Sequence, residues 1–161
     1  MVFVLLEHQI GTKRHTHIVE PGYEVSDDDA SAAITAFGRM ASGEPLQYVT
    51  GRAYFYGREF HVTPDVLIPR PETEELIEVI LRDHPTTPPQ RILDIGTGSG
   101  CIPITLAHRW PQSRMVGWDI SSDALAIARR NNEEHHTHVV FHQHDILSVD
   151  ECVVPQEGGF D

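Results

Sequence analysis

The sequence predicts an α/β protein: a Rossmann-like parallel sheet in its C-terminal part, preceded by a β-hairpin linker and a partial helical domain. Three observations carry this. From Arg91 onward, short apolar runs alternate with amphipathic stretches of about a dozen residues, the rhythm of parallel strands joined by right-handed crossovers. A glycine-rich turn, GTGSG at 96–100, stands directly behind the first apolar run. Upstream, two aromatic or β-branched runs, AYFY and EFHV, lie close enough together to pair as a hairpin.

The elements follow in order. The opening MVFVLLEH is apolar but has no basic flank and no small-residue cleavage site, so it reads as a packing helix rather than a signal peptide. Ser26 before Asp27, Asp28 and Asp29 is a helix start, with a capping hydroxyl and acids at the positive end of the dipole. Ala30, Ala33, Ile34 and Phe37 recur at helical spacing and are expected to form its buried stripe, and Gly43 ends it. In the hairpin, Gly57-Arg58 suits a two-residue type II′ turn. IPRPETEELIEVILR restarts a helix at Pro71, with Glu72, Glu74 and Glu75 in its first turns and Leu76, Ile77, Ile80 and Leu81 as the expected buried face. HPTTPPQ at 84–90 is a linker, because its prolines exclude regular structure.

RILDI is then the first strand and residues 101–109 the first helix of the sheet domain. RMVGWDI is the second strand, SSDALAIARRNN the second helix with Ser121 or Ser122 as cap, and HVVFHQHD the third strand. EGGFD reads as the approach to a further strand. The boundaries are 1–43 for the helical part, 44–68 for the hairpin linker, 69–90 for the connecting helix and linker, and 91–161 for the sheet domain.

Composition narrows the function classes. With 40% apolar and 22% charged residues, the chain has the make-up of a soluble globular protein. No apolar run approaches the roughly 20 residues that span a bilayer. A formal charge of -12 disfavours broad nucleic-acid binding, which needs clustered Lys and Arg. Two cysteines, Cys101 and Cys152, are too few for a disulfide framework and fit a reducing cytoplasm. The 11 histidines include His135, His136, His138, His142 and His144, but no acid or Cys stands at a usual zinc spacing, and no metal site is expected.

The glycine turn carries the chemistry. A turn between the first strand and helix lies at the carboxyl edge of a parallel sheet, where open α/β folds bind ligands. Gly96, Gly98 and Gly100 leave the backbone open to close approach. The spacing G-x-G-x-G is not that of a dinucleotide fold, and no G-K-[ST] follows, which excludes a P-loop. Asp94, two residues before the turn, would repel a pyrophosphate and attract an ammonium or a sulfonium. Asp119 closes the second strand, where a carboxylate accepts from ribose hydroxyls or caps the following turn. A ribose, a cationic amino-acid arm and no phosphate describe S-adenosylmethionine. Asp145 closes the third strand where an adenine amino group would lie, with Ile146 beside the ring, although a plain turn residue fits Asp145 equally. A NAD-dependent oxidoreductase half-domain and a non-catalytic protein-binding module are the rival readings.

With these residues placed, the chain resembles the HemK-type methyltransferases that modify a glutamine of peptide-chain release factors, a class I methyltransferase family. GEPLQYVTG at 43–51, VLIPRPETEELIE at 66–78 and ILDIGTGSGCI at 92–102 are similar to three successive signatures of that family, and WDIS at 118–121 and HDIL at 144–147 to its ribose and adenine stations. The resemblance implies the N-terminal half of a class I methyltransferase sheet, with Gly96, Thr97, Gly98, Ser99, Gly100 and Asp119 holding S-adenosylmethionine and Asp145 and Ile146 lining the adenine pocket. It implies a release factor as protein substrate and the amide of its GGQ-loop glutamine as methyl acceptor. Arg70, Glu72 and Thr73 would border the active site, or simply cap a helix. The resemblance also implies a chain shortened at both ends. The family's N-P-P-Y motif is not in the sequence, so no catalytic residue is assigned and turnover by these 161 residues alone is not expected. RILDI, without its fourth-strand neighbour, is expected to present an open edge that invites self-association.

Overall fold

A computed structural model describes residues 2–13 and 15–148. The chain divides into two compact units, Met1–Arg52 and Ala53–Asp161. The EGGFD stretch and Cys152 lie outside the described residues.

The first unit is helical: α1 (Val2–Ile10), α2 (Thr16–Val19), α3 (Asp27–Ala41) and α4 (Leu46–Thr50). Ser26 caps α3 as its sequence requires, its Oγ accepting from the Asp29 N–H at 3.1 Å. The apolar opening is a helix whose Leu5 is fully buried with Ala36 and Val49, against Phe37, Met40 and Leu46. This corrects the expected stripe of α3. Ile34 is 71% exposed, and the buried face runs through Ala33, Ala36, Phe37 and Met40. Both faces satisfy helical periodicity; α1 and α4, packing on one of them, select it. Neither α2 nor α4 was expected. α4 occupies residues otherwise assigned to the hairpin linker, and Arg39 docks it by donating to the Tyr48 carbonyl at 3.3 Å while pairing with Glu44.

The second unit opens on the hairpin β1 (Arg52–Phe55) and β2 (Arg58–His61). Its turn is one residue earlier than expected. Tyr56 (φ 48°) and Gly57 (φ 74°) are its centre, and positive φ at both positions is the type I′ pattern rather than II′. A tyrosine is a poor residue for that conformation, costing about 1 kcal/mol. It is held there by α5 (Pro71–Asp83). Glu74 Oε1 accepts the Tyr56 N–H at 2.8 Å, and Glu78 accepts its phenolic O–H. Pro71 occupies the first turn of α5, with Glu72 and Glu74. Ile77 is fully buried and Ile80 and Leu81 pack beside it, but Leu76 is 47% exposed, so the buried face is narrower than expected.

The sheet comprises β3 (Arg91–Ile95), β4 (Arg114–Asp119) and β5 (Val140–Gln143), in the order β3-β4-β5 and parallel throughout. Leu93 pairs with Val116, and Val116 with Val140. The crossovers are α6 (Cys101–Arg109) and α7 (Ser122–Glu134), and Ser121 is the α7 cap, accepting from the Ala124 N–H at 3.2 Å. Ile104, Leu106, Met115, Leu125, Ala128 and Phe141 form one core with Phe55, Phe60 and Ile77 of the hairpin and α5. The hairpin thus buries its aromatic face on the sheet domain rather than standing alone in water. Central β4 carries Gly117, where a Cβ would lie 2.6 Å from the Phe141 ring and 2.9 Å from Thr97 Oγ1. Among the described residues, β3 is paired on one side only.

Candidate functional site

Parallel strands end together, so the loops after β3, β4 and β5 meet at one edge of the sheet. The glycine turn folds back over β4 there: the Gly96 and Thr97 N–H groups both donate to the Trp118 carbonyl, at 2.8 and 2.9 Å. The Gly100 N–H closes onto the Thr97 carbonyl at 2.8 Å, and the Gly100 carbonyl accepts from Ile104 as α6 begins.

Asp119 is the hub of this edge. Its Oδ2 accepts from the Gly98 N–H at 2.9 Å and its Oδ1 from the Ser121 N–H at 3.0 Å. Its carbonyl accepts the His144 N–H at 2.9 Å. One residue therefore joins the ends of all three strands. The turn-capping and ligand-binding roles weighed for it are compatible, because a carboxylate has about four acceptor positions and two are used.

The three glycines do different work. A Cβ on Gly96 (φ 74°) or Gly98 would meet nothing within 4 Å, so these two border open space. Gly100 (φ 77°) is a packing position: a Cβ there would lie 3.1 Å from both Ile104 Cδ1 and Phe141 Cζ. This corrects the expectation that all three open the backbone to a ligand. Thr97 and Ser99 are 5% and 2% exposed, so they offer the edge their backbone rather than their side chains.

Asp94 lies beneath the turn. Burial, reinforced by the charge of Asp119 and opposed by the Thr97 hydroxyl, pushes its carboxyl up to about 6. The Thr97 hydroxyl is near enough to ease this charge but out of hydrogen-bond geometry, so Asp94 Oδ2 and Thr97 Oγ1 are both buried without a formed hydrogen bond. A cation above the turn would relieve this. An anion would aggravate it.

Beyond β5, Asp145 is exposed and folds its Oδ1 onto the Leu147 N–H at 2.9 Å. Ile146 is 55% exposed beside it. Sequence reasoning missed two further apolar residues at this edge, Ile95 and Ile120, which are 49% and 63% exposed at the ends of β3 and β4. The signal was available: each is the last apolar residue of its strand run, where a side chain passes the edge of the sheet. Ile95, Ile120 and Ile146 thus leave exposed apolar surface at or just past the ends of neighbouring strands.

Other candidates resolve as structure. The Cys101 thiol is buried and pushed up to about 11, mainly by desolvation, so it is not an activated nucleophile. Trp110 and Trp118 are buried, Trp118 against the His144 ring at 4.5 Å. His135 packs on Phe60 at 4.5 Å. Among the described residues, no group of three or more His, Cys, Asp or Glu is arranged to hold a metal ion. Arg70 takes the N-cap position of α5 without a side-chain cap, and its carbonyl accepts from the Thr73 N–H at 3.0 Å. No helix among the described residues is long and apolar enough to cross a membrane.

Comparison with known proteins agrees with this geometry. Residues 92–161 match the family described as Methyltransferase domain, and residues 2–51 match that described as PrmC N-terminal domain. The chain is 52% identical over 112 residues to the release factor glutamine methyltransferase of Bacteroides thetaiotaomicron, covering 70% of this chain and 40% of that protein. It is 43% identical over 146 residues to the protein of the same name from Koribacter versatilis, covering 91% of this chain and 52% of that protein. The chain thus spans about half the length of the relatives it matches. Among solved structures, the Pyrococcus abyssi tRNA (uracil-54, C5)-methyltransferase in complex with S-adenosyl-L-homocysteine aligns with a TM-score of 0.47 at 22% identity, over 62% of this chain and 25% of that one. The parallel sheet with its glycine turn is the class I methyltransferase arrangement. The chain is homologous to the release factor glutamine methyltransferases.

Proposed function

We propose that these residues are the cofactor-binding part of an S-adenosylmethionine-dependent protein methyltransferase whose acceptor is the side-chain amide nitrogen of the GGQ-loop glutamine in a peptide-chain release factor. Homology to enzymes of that name supports the reaction and substrate. The observation that carries the cofactor is the buried Asp94 carboxyl, whose Oδ2 makes no formed hydrogen bond, beneath a turn that is open above Gly96 and Gly98.

The residues present fit this donor. The open backbone of Gly96 and Gly98 receives the amino-acid arm, with Asp94 supplying negative potential to its ammonium. Asp119 keeps two acceptor positions for the ribose hydroxyls, and Ile120 and Ile146, with Asp145, flank the adenine. The backbones of Thr97, Ser99 and Gly100 shape the turn. When bound, S-adenosylmethionine supplies a methyl group activated by the sulfonium. The chain's own contribution is to bind and orient it, so that a weak amide nucleophile held in line meets the methyl group in a fixed position.

The division of labour keeps the order of the sequence boundaries but moves the first: a helical part that continues past 1–43 through α4 to Arg52, then the hairpin linker to 68, a connecting helix and linker over 69–90, and the cofactor domain over 91–161. The matches over 2–51 and 92–161 support it. Binding of cofactor is assigned to these residues and positioning of the substrate amide to the N-P-P-Y motif of the family. A cytoplasmic location accompanies a substrate of the translation machinery. Among the described residues β3 is paired on one side only, which supports the proposal of self-association through that edge, and sedimentation at several concentrations tests it.

Calorimetric titration with S-adenosylhomocysteine tests the cofactor assignment, with NAD as the competing arm. Binding of NAD and not of S-adenosylhomocysteine would replace the reading with an oxidoreductase. Binding of neither would leave the protein-module alternative.

A further inference from the structure

Asn131 is a fully buried polar residue on α7, set apart from the residues that face the open edge of the sheet. Its Oδ1 accepts from the His61 N–H at 2.7 Å. Its Nδ2 donates to the His61 carbonyl at 3.0 Å and to the Ser99 carbonyl at 2.9 Å. One side chain therefore satisfies both backbone groups at the end of β2 and a carbonyl of the glycine turn. Its neighbour Asn132 makes a different set of bonds, with Val139 and Thr137, and only closes the α7–β5 connection.

The chemistry of the position is restrictive. It needs one acceptor and two donors on a short neutral side chain in a fully buried position. Asn provides them; Asp offers acceptors alone when ionised, Ser has one donor, and an aliphatic residue makes none of the three bonds. A polar residue in a core is otherwise a liability, so full satisfaction marks a place where geometry is being held.

What it holds is the turn. Gly98 is tethered to Asp119 on the open side, and Ser99, the next residue, is tethered to Asn131 on the buried side. The two bonds hold the 97–98 and 99–100 peptide units, on either side of the one that joins Gly98 to Ser99, and so fix the turn from both ends. Asn131 also ties the turn to the hairpin, through His61.

We propose that Asn131 is a positioning residue for the cofactor: it pre-orders the glycine turn against β2, so that the ligand meets a turn already in its bound shape. This rests on the reading of residues 96–100 as the cofactor loop. Pre-ordering strengthens binding by removing the entropy of fixing the loop, without a new contact to the ligand.

The test uses the whole 161-residue chain and two variants. Asn131→Asp keeps the volume and the acceptor for His61 while losing donors to His61 and Ser99. Asn131→Ser is small enough to fold if the first does not. The readouts are the Kd for S-adenosylhomocysteine and amide hydrogen exchange at Gly98, Ser99 and Gly100. A control, Met115→Ala, destabilises the same core from β4, where Met115 is 2% exposed. The expected result is a Kd raised tenfold or more and loop exchange accelerated tenfold or more in the Asn131 variants, with Met115→Ala within twofold of wild type at a temperature well below its melt. A Kd within twofold of wild type for a folded Asn131 variant overturns the proposal, as does an equal loss in Met115→Ala. If the wild-type chain itself fails to bind S-adenosylhomocysteine, the cofactor reading falls. Loop exchange then decides whether Asn131 orders the turn, and unchanged exchange denies it.

Discussion

Asp119 Oδ2 accepts the Gly98 N–H at 2.9 Å, so the acid proposed for the ribose is also the residue that fixes the centre of the glycine turn. Replacing it with Ala removes both roles at once, together with the bond from Ser121. Asp119→Ala is expected to weaken S-adenosylhomocysteine binding by about 1–3 kcal/mol, the range for a charge-assisted hydrogen bond. Calorimetry returning equal affinities would remove Asp119 from the site.

Asp94 predicts a pH dependence. Its carboxyl is held near 6 in the folded chain against an ordinary 3.8, so the folded state binds this proton more tightly than the unfolded one. The associated stability is therefore complete below about 3.8, declines as pH rises through about 6, and is absent above it. Its size is on the order of 3 kcal/mol. Asp94→Asn should melt higher than wild type at pH 8 and show a flatter stability profile between pH 4 and 8, while binding S-adenosylhomocysteine more weakly. Parallel melting curves across that range would show that the carboxyl is not strained by burial.

Gly117 has no room for a side chain, since a Cβ would stand 2.6 Å from two atoms of the Phe141 ring. Gly117→Ala should destabilise the second unit by about 1–3 kcal/mol through overpacking. Trimming the obstacle should restore part of it, so Gly117→Ala with Phe141→Leu is expected to denature at a higher urea concentration than the sum of the single changes implies. Strict additivity in a double-mutant cycle would break the steric account.

The hairpin turn depends on α5 through Glu74, which accepts the Tyr56 N–H at 2.8 Å. Glu74→Ala leaves that half-buried donor unpaired and should cost about 1–2 kcal/mol in urea denaturation, whereas Glu74→Gln keeps an acceptor oxygen and should remain near wild type. Equal losses in the two variants would mean that the charge, not the hydrogen bond, holds the turn.

Local signals determined much of this protein from sequence alone. RILDI and residues 101–109 are a strand and a helix with the expected boundaries, and the parallel order of the three strands follows from crossover handedness, because each element's type is written in its own periodicity and caps. The glycine turn and Asp119 were legible for the same reason: they are consecutive in strand-turn-helix units, and the sheet brings their ends together automatically. What only the tertiary structure decided involves partners distant in sequence. Ile34 faces outward because α1 and α4 occupy the other side of α3. Tyr56 adopts a left-handed turn because Glu74, 18 residues later, accepts its N–H. Gly100 packs against Phe141 rather than facing a ligand. Asn131 is invisible as a site in the helix pattern SSDALAIARRNN, since its meaning lies in two carbonyls and an amide, 32 and 70 residues away, that reach it only after folding.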